Sequence, residues 1–257
     1  MNVDVTLPDG SVKTFDHAVS GFDIAKSIGS RLAKDAICLE IDNVFYDLSA
    51  IFESDISVRI VTNSDPDALH ILRHSSAHIL AQAVLNLYPS AKYGVGPSIE
   101  NGFYYDFLFK EPLKESDLIE IENEMIKITK NAQEFTKSEI SKKDAKKLFK
   151  NQSFKIELIE SAETDEGVSE DVVTMYSNDK FSDLCKGPHI PNTTYLKHFK
   201  LTKLGGAYWR GDEDNPQLQR IYGTSWFTKK DLDVYLTQIE EAEKRDHRKL
   251  GNELNLF

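Results

Sequence analysis

Apolar residues alternate with polar ones at Val3, Val5 and Leu7, stop at Pro8-Asp9-Gly10, and resume at Val12 and Phe15. Period-two alternation on both sides of a turn signal predicts a β-hairpin. The period then changes: Ser20 and Asp23 form a capping pattern ahead of Ile24, Ala25, Ile28 and Leu32, which predicts a short amphipathic helix ending near Asp35. Strand-like runs follow at 36–41, 44–48 and 57–62, giving a small mixed unit of strands and one helix. Thr62 to Pro66 is polar and rich in breakers, so a boundary falls there, with Asp65 or Asp67 able to cap the next helix.

From Asp67 to Tyr88 no glycine or proline intervenes, and Leu69, Leu72, Ser76, Ile79, Ala83 and Leu87 recur at helical spacing, a stripe that should face a core. His74, His78, Ala81 and Leu85 form a second stripe, where small and polar side chains leave room for a cavity. A glycine-rich stretch at 94–102 leads into an aromatic strand, Phe103 to Phe107. A helix is predicted over 116–132, strands over 154–159, 172–176 and around Phe181, and a long charged helix over 231–252. The order of elements makes the fold class α+β, in two units.

Composition adds limits. Forty per cent of the 257 residues are hydrophobic and 28% charged, enough to fill a packed core. Thirty-one Lys plus Arg against 42 Asp plus Glu give a net charge of −11, which argues against a generally basic nucleic-acid coat but not against a local patch. Lys137, Lys142, Lys143, Lys146, Lys147, Lys150 and Lys155 face only Glu139 and Asp144 in their stretch; this is either a phosphate-binding face or a solvated helix surface. The two cysteines, Cys38 and Cys185, are far apart and call for no disulfide framework, and Cys38 reads as a buried strand residue. No apolar run reaches bilayer length, so a cytoplasmic protein with no membrane partner is expected.

Two short motifs could carry chemistry. In His74-Ser75-Ser76-Ala77-His78, four residues advance a helix by a little over one turn and bring both imidazoles to one side. In Cys185-Lys186-Gly187-Pro188-His189, Gly and Pro predict a tight loop that folds the thiol and the imidazole together. One Cys and three His satisfy a tetrahedral zinc site, or else form a metal-free pocket of neutral imidazoles that handle protons near pH 7. Each pair alone also fits a packed, hydrogen-bonded core. Asp183, two residues before the cysteine, and Tyr105, on the aromatic strand, extend the candidate site.

The segments HSSAHILAQAV, IENGFYYDF, FSDLCKGPHIP, GGAYWRGDEDNPQLQRIYGTSWF and KRDHRKLGNEL together resemble the amino-terminal half of the threonyl-tRNA synthetase family, along the whole chain. The resemblance implies a ubiquitin-like β-grasp (TGS) domain over 1–62, a larger mixed α/β tRNA editing domain over 63–225 and a linker helix over 226–257. The two His/Cys pairs are common to threonyl and alanyl editing domains; the TGS module and the YWRGD to QRIYGTSW stretch favour the threonyl family. The expectation is a truncated chain that stops before the class II catalytic core, where ATP and zinc would bind, and that does not charge tRNA by itself. The full-length enzyme is then a homodimer through that core and this chain a monomer.

The resemblance also implies a reaction. Threonine and serine differ by one methyl, worth only about 1 to 3 kcal/mol to a pocket, so a second site that hydrolyses seryl-tRNA made for threonine corrects the error. The implied partner is tRNA(Thr) with its mischarged CCA end, not DNA. His74 is assigned to activating water or orienting the terminal ribose; His78, Cys185 and His189 to shaping the pocket; Asp183 to the substrate amine; Tyr105 to a hydrogen bond nearby. Lys155 resembles the family's lysine near the ester, against the plainer reading of an exposed lysine beside a strand. Tyr104 and Tyr208 could stack on the CCA end, whereas Trp209 suits the core. Lys197, Lys200, Lys203 and Arg210 could join the lysine-rich stretch as a basic face. No cofactor is needed for such hydrolysis, although zinc on His74, His78, Cys185 and His189 would make an alanyl-like alternative. A further alternative is a non-catalytic TGS-containing RNA-binding protein.

Overall fold

The computed structural model describes residues 2–161, 167–169 and 171–245. The first hairpin forms as the alternation requires: β1 (Val3–Thr6) pairs antiparallel with β2 (Val12–Phe15), with Val3 opposite Phe15. A short strand β3 (Val19–Ser20) leads into α1 (Gly21–Ile28), where Ser20 and Asp23 complete a reciprocal capping box. The single helix expected to reach Asp35 is two helices. Gly29 takes extended backbone and separates α1 from α2 (Ser30–Asp35), because glycine supports a continuing helix less than any residue but proline.

Then come β4 (Ala36–Ile41), β5 (Val44–Asp47), β6 (Ile51–Phe52), β7 (Ile56–Ser57) and β8 (Arg59–Thr62). Their sheets have the orders β2-β1-β7 and β5-β4-β8, with β3 paired to β6; β1 and β7 run parallel, so the chain crosses over through the helices. Val3, Val5, Ile24, Leu39 and Leu48 fill this unit's core. Cys38 is fully buried on β4, as its strand context implies. The boundary at 62–66 is a built joint: Asp65 accepts from the Thr62 amide and pairs with Arg59, which also reaches Glu40 and Asp67.

α3 (Pro66–Leu87) begins with Pro at its first turn, where the missing N–H is harmless. It is buried on nearly all sides between 71 and 84 because it lies between a sheet, another helix and the first unit. The sheet comprises β9 (Lys92–Tyr93), β10 (Ser98–Ile99), β11 (Gly102–Leu108) and, after a long interval, the hairpin β15 (His198–Tyr208) and β16 (Gln217–Trp226), ordered β10-β11-β16-β15 with β9 on β11. α4 (Asp117–Lys130) lies against α3. Ile37, Cys38 and Val61 of the first unit pack into the same apolar cluster as Ile71, Leu72 and Phe103, so the two units share one core.

The interval holds β12 (Thr136–Ser141), α5 (Lys142–Leu148), α6 (Ser153–Glu160), β13 (Val172–Asn178) and β14 (Phe181–Leu184), with sheet order β12-β13-β14. Here the sequence reading fails twice. The lysine-rich stretch is a strand followed by two short helices, not one face. The run 154–159, expected as a strand, is helical: Phe154, Lys155, Leu158 and Ile159 are buried at helical spacing, and an apolar run this short carries no decisive period. After β16, α7 (Lys229–Lys244) covers the first part of the long charged helix; 246–252 of that expectation lie outside the described residues. Among the described residues, no helix is long and apolar enough to cross a membrane.

Candidate active site where the two motifs meet

The helix pair and the loop pair converge. α3 carries His74 and His78 one turn apart, with ring centroids 5.0 Å from each other. The loop after β14 brings Cys185 and His189 to them: His74 Nε2 lies 2.8 Å from Cys185 Sγ, and that sulfur 3.4 Å from His189 Nε2. Gly187 makes the turn possible; it holds a φ of +73°, and a Cβ there would sit 2.1 Å from the Tyr176 oxygen.

The hydrogen bonds assign tautomers. Ser75 Oγ donates its one proton to the Ile71 carbonyl (2.9 Å) and accepts from the Ile190 amide (3.0 Å), so the 3.0 Å contact to His189 Nδ1 needs the proton on that nitrogen. His189 Nε2 is then an acceptor for the Cys185 thiol. The sulfur in turn accepts from the Gly187 amide at 3.1 Å and from His74 Nε2–H, leaving Nδ1 as the lone-pair nitrogen of His74. The rings are neutral. Burial lowers the His74 pKa to about 4, with His70 adding to it; burial and neighbouring imidazoles, with Lys155 at His78, hold His78 and His189 well below the ordinary range.

A second, charged group stands beside this one. Lys155 on α6 is fully buried and its Nζ lies 2.5 Å from Asp183 Oδ1. Tyr105 donates its hydroxyl to Asp183 Oδ2, the Leu184 amide donates to Oδ1 at 2.8 Å, and the ammonium lies 5.1 Å from the Tyr93 ring centre. Burial pushes the Asp183 carboxyl up, while Lys155 and these hydrogen bonds pull it back. His78 Nε2 is 4.0 Å from Asp183 Oδ2, which joins the charged group to the neutral one.

Both groups border a cavity of about 650 Å³, lined by His74, His78, Asp183 and Cys185 and closed by the 96–98 and 186–188 loops and by Phe45 of the first unit. A Cβ at Gly96 would strike the Tyr105 ring at 2.1 Å, so glycine lets that loop close over the tyrosine. The His74 edge is partly exposed here, whereas Cys185, His78 and His189 are buried. As metal ligands the four are apt in type, and their donor atoms lie within 4.8 Å of one another.

Of the residues expected from sequence, His74, His78, Cys185, His189, Asp183, Tyr105 and Lys155 come together. The plain reading of Lys155 as exposed beside a strand is overturned: it is on a helix and wholly buried. It stands behind Asp183 and not on the cavity wall. Tyr104 goes elsewhere. Strand alternation turns it to the opposite face from Tyr105, where the Arg220 guanidinium lies 3.7 Å from its ring centre while pairing with Asp106 at 2.7 and 2.8 Å. Trp209 is buried, with its N–H on Glu157 at 2.9 Å, and Tyr208 is exposed. The expected basic face is laced with acids: Lys146 pairs with Glu160, Lys147 with Asp144, Lys200 with Glu122 and Arg210 with Glu157.

Sequence reasoning misses Ser75, Tyr93, Phe45 and Asp47. Ser75 sits inside the first motif and reads as a spacer. Asp47 accepts from the His189 amide at 2.9 Å, a contact across 142 positions that no local pattern announces.

Known families match this arrangement. Residues 3–62 match the TGS domain, and residues 173–222 match the threonyl and alanyl tRNA synthetase second additional domain. The second of these models describes a domain of threonyl and alanyl tRNA synthetases. Over 99% of its length the chain is similar to the threonine–tRNA ligase of Francisella tularensis subsp. novicida, at 48% identity, and to that of Desulfosudis oleivorans, at 47%. The chain is thus related to the threonine–tRNA ligases. It spans about 40% of the length of the curated relatives it matches.

Proposed function

We propose that this site removes serine from mischarged tRNA(Thr) by hydrolysing the aminoacyl ester, within a longer cytoplasmic protein that attaches threonine to tRNA(Thr) with ATP. The observation that carries the reading is the meeting of the His74/His78 helix with the Cys185/His189 loop on one wall of a cavity, beside the buried Lys155–Asp183 pair.

In this reading water attacks the ester carbonyl, the bond to the terminal ribose oxygen breaks, and the ribose hydroxyl recovers a proton as serine leaves. A neutral His74 with a pKa near 4 is a weak base, so its part is to accept a hydrogen bond that aligns water or ribose. Cys185 and His189 hold that ring through the sulfur. Asp183 receives the substrate ammonium by a charge-assisted hydrogen bond, and Lys155, set behind it, keeps it ionised in a buried place. The test is deacylation of seryl- and threonyl-tRNA(Thr) by the chain: serine is released well above the spontaneous rate and threonine is not. Equal release of both, or of neither, refutes it.

A second reading has its own support in the donor set. His74, His78, Cys185 and His189 would hold zinc, which lowers the pKa of a bound water toward neutrality. A nitrogen and a sulfur ligand stand roughly 3.5 Å apart on one tetrahedral zinc, so the 2.8 Å His74–Cys185 contact would open as the ion entered. Elemental analysis before and after chelation separates them: stoichiometric zinc whose loss abolishes hydrolysis establishes the second.

A further inference from the structure

We propose that Asp47, on the β-grasp unit, is a positioning residue for the site in the other unit, holding the Cys185–His189 loop so that His189 stays seated on Ser75 and Cys185. The inference rests on the hydrolytic reading for its consequence in rate, but not for its geometry.

β5 is an edge strand, paired only to β4 in its sheet, and Asp47 closes it. Its carboxylate leaves the sheet and takes two donors from the second unit. Oδ1 accepts from the His189 amide at 2.9 Å, and Oδ2 accepts from the Tyr176 hydroxyl at 2.5 Å. Tyr176 itself bears on the loop from two sides: its ring meets the His189 imidazole edge-on at 4.6 Å, and its oxygen fills the space beside Gly187. One carboxylate therefore fixes both the loop backbone and the ring on which the loop rests.

The next amide is tied separately, Ile190 N–H to Ser75 Oγ, while the His189 ring lies flat on Phe135 at 4.6 Å and 3°. Asp47 supplies a second tether, from the β-grasp unit. Without it the His189 amide is a buried donor with no acceptor, and the loop gains freedom to move the thiol that contacts His74. The packing of Ile37, Cys38 and Val61 into the larger core gives the tether a rigid base. The β-grasp unit, on this view, is part of the site's scaffold and not a separate appendage.

The test uses Asp47→Ala, Asp47→Asn and Tyr176→Phe in the whole chain. Asp47→Ala should lower kcat for seryl-tRNA hydrolysis on the order of 100-fold, the scale of a displacement of about 1 Å, with KM within about threefold. Asp47→Asn, which keeps an oxygen for the His189 amide, should recover most of that rate, and Tyr176→Phe should fall between. Independently of turnover, hydrogen exchange at the His189 amide should quicken at least about tenfold in Asp47→Ala and stay near the parent in Asp47→Asn. Parent-like kcat and exchange in Asp47→Ala overturn the proposal, as does equal loss in Asp47→Asn. If Asp47→Ala does not fold, the Asp47→Asn and Tyr176→Phe pair decides the same question through exchange. If the parent chain hydrolyses nothing, the functional reading fails while the exchange comparison still tests Asp47.

Discussion

Two of the ion pairs on α6 have the same chemistry in opposite settings. Lys155 meets Asp183 at 2.5 Å with side chains 0% and 3% exposed; Glu160 meets Lys146 at 2.8 Å with 56% and 43% exposed. Five residues apart on a helix is about 140° of rotation, so one helix offers one charge to the interior and the other to water. The distances are alike and the consequences are not. The inner pair persists because a tyrosine hydroxyl, a backbone amide and aromatic rings complete its surroundings; the outer pair needs none of these.

Removing one inner partner should have the largest effect. Lys155→Met leaves Asp183 buried without its cation, a loss of about 3 to 5 kcal/mol that lowers Tm by roughly 10 °C, read by calorimetry, and abolishes serine release. The double variant Lys155→Met/Asp183→Leu should regain most of the stability, since an apolar pair can replace a buried ionic one, yet remain inactive. Recovery of hydrolysis in the double variant would remove the pair from the chemistry.

Acid acts next, through the neutral group beside the charged one. His74, His78 and His189 take up protons less readily folded than unfolded, so between the unfolded value near 6.5 and the His74 value of about 4 the unfolded chain binds more protons. Stability is therefore full above pH 6.5 and falls as pH drops through that window, approaching about 1.4 kcal/mol per pH unit for each histidine. Denaturant midpoints between pH 7.5 and 5 measure it. Hydrolysis should hold level from pH 7 toward 5 while the fold survives; a rate that halves near 6.5 would mean that His74 titrates normally.

Much of this was legible in the sequence, for local reasons. The capping box, the first hairpin and the two His/Cys pairs are signals within a few residues, Asp183 lies two positions before the cysteine, and the resemblance supplied Lys155. Where reading failed, the cause was distance or ambiguity. Whether Phe154 to Ile159 coils or extends depends on which neighbours bury it, and the Asp47 contact with His189 exists only once both units are folded. Tyr104 and Tyr105 are adjacent letters, but a strand sends them to opposite faces and only one to the site. Tyr104→Ala should consequently leave serine release within about threefold of the parent, with a stability loss of about 1 kcal/mol from the lost ring under Arg220.

The outer pair should prove nearly dispensable. Lys146→Ala gives up one exposed contact with Glu160, worth about 0.2 to 1 kcal/mol at low salt, and at high ionic strength the parent and variant should converge because screening removes the attraction in both. The inner pair, with side chains 0% and 3% exposed, should keep its full effect under the same change. Denaturation of Lys146→Ala and Lys155→Met in low and high salt thus sets the two pairs side by side. If salt closed the gap between Lys155→Met and the parent as well, Asp183 would be reaching solvent, and its burial could not be what keeps Lys155 beside it.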